Sequence, residues 1–165
     1  MSYSNYYLKH VEKGELPFLE DMLFYAIYVG EGNSLPSRNI IYEPNLYKYI
    51  DKWDENKDIG YMVVDAKTNK KLGAAWLRLF CKNDKGYGYI SEDIPELSIA
   101  IYPEYRGNGL GTSLINYLIS QLPAHINNIS LSVDTQNPAK GLYERLGFKD
   151  YSINDGTSVM IFNKL

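Results

Sequence analysis

The sequence predicts a single mixed α/β domain, and three observations predict it. Its 165 residues suffice to bury one core without disulfides or metal, and no repeat, low-complexity tract or Pro/Ser-rich linker marks an internal boundary. Some stretches alternate apolar and polar residues with the period of two of a half-buried strand, as Ile129-Ser130-Leu131-Ser132-Val133 does. Others repeat apolar residues at helical spacing, as Leu114, Ile115, Leu118, Ile119 and Leu122 do after Leu110.

Taken in order, Tyr6 to His10 is a short first strand, and Leu16 to Val29 is a helix opened by Pro17. Gly30 to Arg38 is a loop. Pro44 opens a second helix that runs through Tyr47, Ile50 and Trp53 until Asp54-Glu55-Asn56-Lys57 ends it. Ile59 to Asp65 and Lys71 to Phe80 are adjacent antiparallel strands joined by the hairpin composition Ala66-Lys67-Thr68-Asn69-Lys70. After the loop Asn83 to Gly88, Glu96 to Tyr102 is a strand with Leu97, Ile99 and Ile101 on one face. The amphipathic helix from Leu110 stops at Pro123, and Ile129 to Val133 is the next strand. Asn137 caps a helix with Pro138 at its first position and Ala139, Leu142, Tyr143 and Leu146 inward. Gly147 closes that helix, and Phe148 to Tyr151 and Ser158 to Phe162 are final strands around Asn154-Asp155-Gly156.

Composition narrows the partners. A net charge of -3 and a pI near 5.4 argue against a nucleic-acid surface, which needs clustered Lys and Arg to displace counterions. No apolar run approaches the roughly 20 residues of a membrane span, and Met1 to Asn5 lacks the basic and apolar regions of a signal peptide, so a cytoplasmic location is expected. Sixteen tyrosines supply flat apolar bodies with polar tips, suited to core edges, clefts and a homodimer surface. One cysteine and two histidines, all far apart in sequence, do not make a zinc site, and Cys81 has no His beside it to activate an acyl-thiol route.

The chemistry concentrates in Tyr105-Arg106-Gly107-Asn108-Gly109-Leu110-Gly111-Thr112, between a strand and a helix. Glycines let the backbone take positive φ and approach a ligand closely, and the first helical turn offers N–H groups and partial positive charge. Together these make an anion site suited to a phosphate, with Arg106 placed to add charge-assisted bonds. A P-loop would need Lys before Ser or Thr after its last glycine, whereas Thr112-Ser113 follow Gly111. The dinucleotide fingerprint would put its third glycine at Thr112 or Leu114, so that reading also fails. A purely structural glycine turn remains the other reading.

Arg106-Gly107-Asn108-Gly109-Leu110-Gly111 resembles the R/Q-x-x-G-x-G/A signature of the GNAT acetyltransferase superfamily, and Asn137 to Phe148 is similar to a second segment of that family. The resemblance implies a mostly antiparallel sheet that splays between two parallel strands, here Glu96 to Tyr102 and Ile129 to Val133, with acetyl-CoA as co-substrate and no metal. It implies that the backbone of Ile99 and Ile101 pairs with the pantetheine arm, and that the Ile101 N–H polarises the thioester carbonyl. It assigns the pyrophosphate to the N–H groups of Gly107, Gly109, Leu110, Gly111 and Thr112, with Arg106 beside them, and a pantetheine contact to Asn137. Tyr143 becomes the proton donor to the leaving sulfur, against a reading in which it simply packs. Glu96 becomes the candidate base for the amine, with Glu92, Asp93 or Asp134 able to serve through water.

The expected activity is acetyl transfer to a primary amine of a small molecule or peptide by direct attack in a ternary complex. A non-catalytic acyl-CoA sensing module is the alternative. The acceptor is expected near Tyr25, Tyr28, Glu31, Glu43 and Trp53, with Tyr87, Tyr89 and Glu92 opposite, since acidic and aromatic groups suit a cationic amine.

Overall fold

The computed structural model describes residues 5–164, so most of the Met1 to Asn5 stretch lies outside the described residues. Seven strands are β1 (Tyr6–His10), β2 (Ile59–Asp65), β3 (Lys71–Arg78), β4 (Glu96–Ile101), β5 (Asn128–Asp134), β6 (Lys149–Asn154) and β7 (Thr157–Asn163). Four α-helices are α1 (Leu16–Tyr25), α2 (Pro44–Tyr47), α3 (Leu110–Ser120) and α4 (Ala139–Arg145). Hydrogen bonding follows the order β1-β2-β3-β4-β5-β7-β6, and the fold is the expected mixed one with a mostly antiparallel sheet and one parallel pair, β4 with β5. The residues cluster into two compact units, one of residues 5–27, 35–77 and 98–121, the other of 28–34, 78–97 and 122–164.

In the first unit, β1 runs antiparallel to β2 and β2 to β3, the second pairing being the one the hairpin composition predicted. The Asp65 carboxylate accepts the N–H groups of Lys67 and Thr68 at 2.7 and 3.1 Å, and Asn69 takes φ 59°, so the β2–β3 hairpin turns where its composition predicted. Val63 faces Gly73 and Val64 faces Lys71, which leaves Leu72 as an extra residue on β3. Gly73 has a steric reason: a Cβ there would lie 2.3 Å from Ile101 Cδ1 and 2.7 Å from the Ala100 carbonyl oxygen. The helices bury apolar stripes, with Phe18, Leu19, Met22 and Leu23 on α1 and Leu110, Leu114, Ile115 and Leu118 on α3. The Tyr117 ring of α3 stands edge-on to Tyr61 of β2 at 4.9 Å.

In the second unit, β5 and β7 pair antiparallel from Asn128 opposite Asn163 to Asp134 opposite Thr157. The β6–β7 turn carries Asp155 at φ 49° and Gly156 at φ 77°, the two left-handed residues of a tight hairpin. The parallel pairing joins Glu96 to Ser130. Gly147 at φ 102° ends α4, with Phe148 N–H bonded to the Tyr143 carbonyl at 3.0 Å and Gly147 N–H to that of Glu144 at 3.1 Å.

The departures from expectation fall where distant contacts outweigh local pattern. The first helix ends at Tyr25 rather than Val29, because Ile27 N–H tightens onto the Phe24 carbonyl and Tyr28 turns its hydroxyl to the Gln136 carbonyl. The second helix stops at Tyr47. Tyr49 and Ile50 follow in i→i+3 turns, Lys52 takes φ 55°, and Trp53 lies against Gly60. Two 3-10 helices, Arg38–Tyr42 and Pro103–Tyr105, had no periodic signal. Strand ends shift by up to three residues.

Candidate active site

The glycine turn is built as its residue types require. Gly107 and Gly109 sit at φ 78° and 81°, and a Cβ at either would meet nothing within 4 Å. These glycines therefore serve backbone conformation and leave the space before the helix open. Gly109 is the cap position of α3, and no side chain caps that helix. Its first-turn N–H groups, at Gly111 and Thr112, are thus available to an anion such as a pyrophosphate. Asn108 braces the turn, its amide donating to the carbonyls of Tyr105 and Arg106 at 3.0 and 3.2 Å.

The Arg106 guanidinium has two backbone partners. Its Nε donates to the Ile101 carbonyl at 3.0 Å and its Nη2 to the Tyr25 carbonyl at 3.1 Å. The guanidinium ties the end of α1 to the end of β4. Ile99 and Ile101 lie half-buried on β4, and the next residue, Tyr102, donates its backbone N–H to the Leu72 carbonyl at 2.9 Å. The Tyr102 hydroxyl donates to Asp21 Oδ2 at 2.5 Å, and burial together with that carboxylate holds the phenol well above its ordinary pKa. Asp21 Oδ1 accepts Arg38, whose guanidinium also lies over the Phe24 ring, 5.4 Å from its centroid.

In the second unit, Glu96 is 3% exposed, with Oε1 accepting the Gly88 N–H at 2.8 Å. The Gly88 carbonyl in turn accepts the Ser130 hydroxyl at 2.7 Å. A Cβ on Gly86 would come within 2.1 Å of Glu96 Oε2, so the 86–88 loop closes over the carboxylate only because it carries glycine. Asn137 Oδ1 accepts the Ala139 N–H at 2.9 Å, from one residue before Pro138, which holds the cap position of α4 where the sequence predicted Asn137. Tyr143 is buried, its ring edge-on to Phe148 at 6.0 Å, and burial raises its pKa to about 12. The phenol therefore keeps its proton throughout the neutral range.

Several residues expected around the acceptor have partners within their own unit. Trp53 donates its indole N–H to the Val11 carbonyl at 3.3 Å, Tyr25 stands edge-on to Tyr102 at 5.6 Å, and Tyr28 is spent on Gln136. A cluster that the sequence reading missed lies in the first unit. The exposed Tyr42 ring lies 5.6 Å from that of Tyr47, and both phenols are pushed up, Tyr42 chiefly by its hydrogen bond with Glu20 and Tyr47 by burial and the Glu20 and Asp51 charges. Only the meeting of α1 with the 3-10 helix and α2 creates this cluster, and no spacing signalled it. Pro17, Phe18, Glu20, Asp21, Arg38 and Tyr102 help line an open cavity of about 700 Å³ in the same unit. Among the described residues, no three or more His, Cys, Asp or Glu are placed to hold a metal ion, and no helix is long and apolar enough to cross a membrane.

A parallel strand pair, a left-handed glycine turn and a helix start without a side-chain cap are the features of a mixed α/β fold. The acetyltransferase (GNAT) family model matches residues 27–148, and the chain belongs to that family. A 57-residue stretch is 40% identical to the N-acetyltransferase of the alanine of ribosomal protein bS18 from Haemophilus influenzae, covering 34% of this chain and 39% of that protein. The chain thus spans well under half the length of this curated relative. Among solved structures, a mutant form of the spermidine/spermine N-acetyltransferase SpeG of Vibrio cholerae is similar at 25% identity and TM-score 0.58, over 96% of this chain and 95% of that one. YncA of Salmonella typhimurium, solved with its cofactor acetyl-CoA, shares the fold at TM-score 0.67 and 14% identity, over 97% and 94% of the two chains.

Proposed function

We propose that the whole chain works as one catalytic domain that moves acetyl from acetyl-CoA to a primary amine of a small molecule or peptide by direct attack in a ternary complex. The observation that carries this reading is the Arg106 to Gly111 turn, in which Gly107 and Gly109 hold left-handed φ with open space before them at an uncapped helix start. Its N–H groups, with those of Leu110 and Thr112, take the pyrophosphate. Ile99 and Ile101 pair with the pantetheine, and Asn137 steadies it through its remaining amide protons.

The amine nitrogen forms a bond to the acetyl carbon, and the Ile101 N–H stabilises the charge developing on the carbonyl oxygen. The carbon–sulfur bond then breaks, and the departing sulfur takes the Tyr143 proton. The proton lost by nitrogen goes to Glu96, directly or through water, so amide and CoA thiol leave as neutral products. The exposed Tyr42 ring and the half-buried Tyr47 ring beside Glu20 and Asp51 support a cationic acceptor, since aromatic faces and carboxylates both attract an ammonium.

A CoA-release screen over polyamines, aminoglycosides, amino acids and peptide N-termini tests the reading and is expected to yield at least one acceptor. Tight acetyl-CoA binding with no release for any amine would replace it with an acyl-CoA sensor. Glu96→Gln separates two roles for that residue. The amide keeps an acceptor oxygen for the Gly88 N–H, so the loop anchor survives while the proton acceptor is lost. Turnover is expected to fall roughly 10²-fold, and unchanged turnover in steady-state assays would leave Glu96 the anchor role alone.

A further inference from the structure

We infer that Asp21 is a positioning residue for acyl transfer, acting through Tyr102 on the strand end that carries Ile101. The inference rests on the proposed transferase reading, in which the Ile101 N–H meets the thioester oxygen. Asp21 lies on α1, 81 residues from Tyr102 in sequence, and the Tyr102 hydroxyl reaches its Oδ2 at 2.5 Å. A bond from a hydroxyl to an ionised carboxylate is among the stronger ones, roughly twice a neutral pair. The other carboxylate oxygen is held by Arg38 from the 3-10 helix, so Asp21 does not swing free of its partner.

The Tyr102 ring is packed as well as bonded. It lies 5.6 Å from Tyr25 and 6.1 Å from Phe18, both on α1. Its backbone N–H is committed to Leu72, and the preceding carbonyl, that of Ile101, accepts Arg106 Nε at 3.0 Å. Beside them, the Ile101 side chain fills the space that Gly73 leaves empty, where a Cβ would lie 2.3 Å from Ile101 Cδ1. The peptide between Ile101 and Tyr102 is thus fixed at its oxygen by Arg106 and at its nitrogen by β3, and the Tyr102 side chain is fixed by Asp21. Each tie removes a rotation that would otherwise swing the Ile101 N–H away from its target.

Asp21 differs from a phosphate ligand in what its loss should change. The glycine turn follows Tyr102 by several residues and has its own brace in Asn108, so ground-state hold on the pyrophosphate survives. The placement of one donor against a charge that exists only in the transition state does not. Misplacing a reacting geometry by about 1 Å costs on the order of 10²-fold in rate, and a loosened tether should cost part of that.

The test compares Asp21→Asn, Tyr102→Phe and the double variant for kcat, for KM of both substrates, and for acetyl-CoA Kd by calorimetry. Each single variant is expected to lower kcat roughly tenfold with acetyl-CoA Kd within about twofold, and the double variant to be no worse than either single one, as for two residues acting as a unit. Unchanged kcat in both singles, additive losses, or a loss confined to acetyl-CoA Kd would overturn the inference. A second readout needs no turnover: with acetyl-CoA bound, hydrogen exchange at the Ile101 amide should quicken about tenfold or more in both single variants. If the unaltered protein binds acetyl-CoA but acetylates nothing, the transferase reading fails while exchange still judges the tether. Unchanged exchange refutes the tether whatever the acceptor.

Discussion

Tryptophan in place of Gly109 is expected to abolish acetyl-CoA binding while the protein still folds. Gly109 sits at φ 81° and ψ 5°, and among the described residues no heavy atom beyond its two chain neighbours lies within 4 Å of where its Cβ would be. A side chain there meets no core atom, so the fold bears only the left-handed strain of a residue with a Cβ, about 1–2 kcal/mol. The bulk instead occupies the open space before the first turn of α3, where the pyrophosphate is proposed to sit. Gly109→Ala shares the strain and adds almost no bulk, so it should retain most of the affinity. Calorimetry on both variants checks this. Undiminished affinity in Gly109→Trp would remove the turn from the binding site, and equal loss in both would assign the effect to backbone strain.

Tyr143→Phe is expected to keep acetyl-CoA binding and to lower turnover by roughly 10²-fold or more, the scale of losing a general acid. The ring remains, so its edge contact with Phe148 and the helix ending at Gly147 are preserved. Because burial raises the phenol to about 12, Tyr143 remains an acid at pH values where a free phenol has begun to ionise. The alkaline limb of the wild-type rate profile should therefore not report a group near pH 10 from this residue.

The same shift carries a stability signature with a definite sign. The folded phenol holds its proton more tightly than the unfolded one, so its contribution is fully present below about pH 10 and is lost as pH rises through about 12. The loss amounts to roughly 2–3 kcal/mol. Denaturant titrations between these pH values should show wild type losing more stability than Tyr143→Phe, by about that amount. Equal losses would mean that the phenol is not buried as described. Turnover unchanged at every pH would remove Tyr143 from the chemistry.

Much of the fold was legible because its cues are local. The strand alternation at Ile129 to Val133, the helical spacing from Leu110, the hairpin composition before Lys71 and the closing glycine at Gly147 depend on neighbours a few residues away, and the structure has each of these elements. The glycine turn was legible for the same reason, since left-handed φ before a helix is a requirement that glycine meets by itself. Less was legible where packing overrode local preference, as at Tyr28 and Trp53, whose polar atoms found carbonyls far along the chain.

By itself, then, the sequence determined most of the element order, the left-handed glycine turn and the family resemblance that the matched model bears out. Only the tertiary structure decided where the side chains of that turn and its neighbours go. It sent Arg106 to the carbonyls of Ile101 and Tyr25, joined Tyr102 to Asp21, and closed the 86–88 loop over Glu96. The physical reason is that a side chain's hydrogen-bond partner is set by which elements pack together. Arg106 and Tyr25, like Tyr102 and Asp21, stand 81 residues apart in the chain, a separation that no local period encodes.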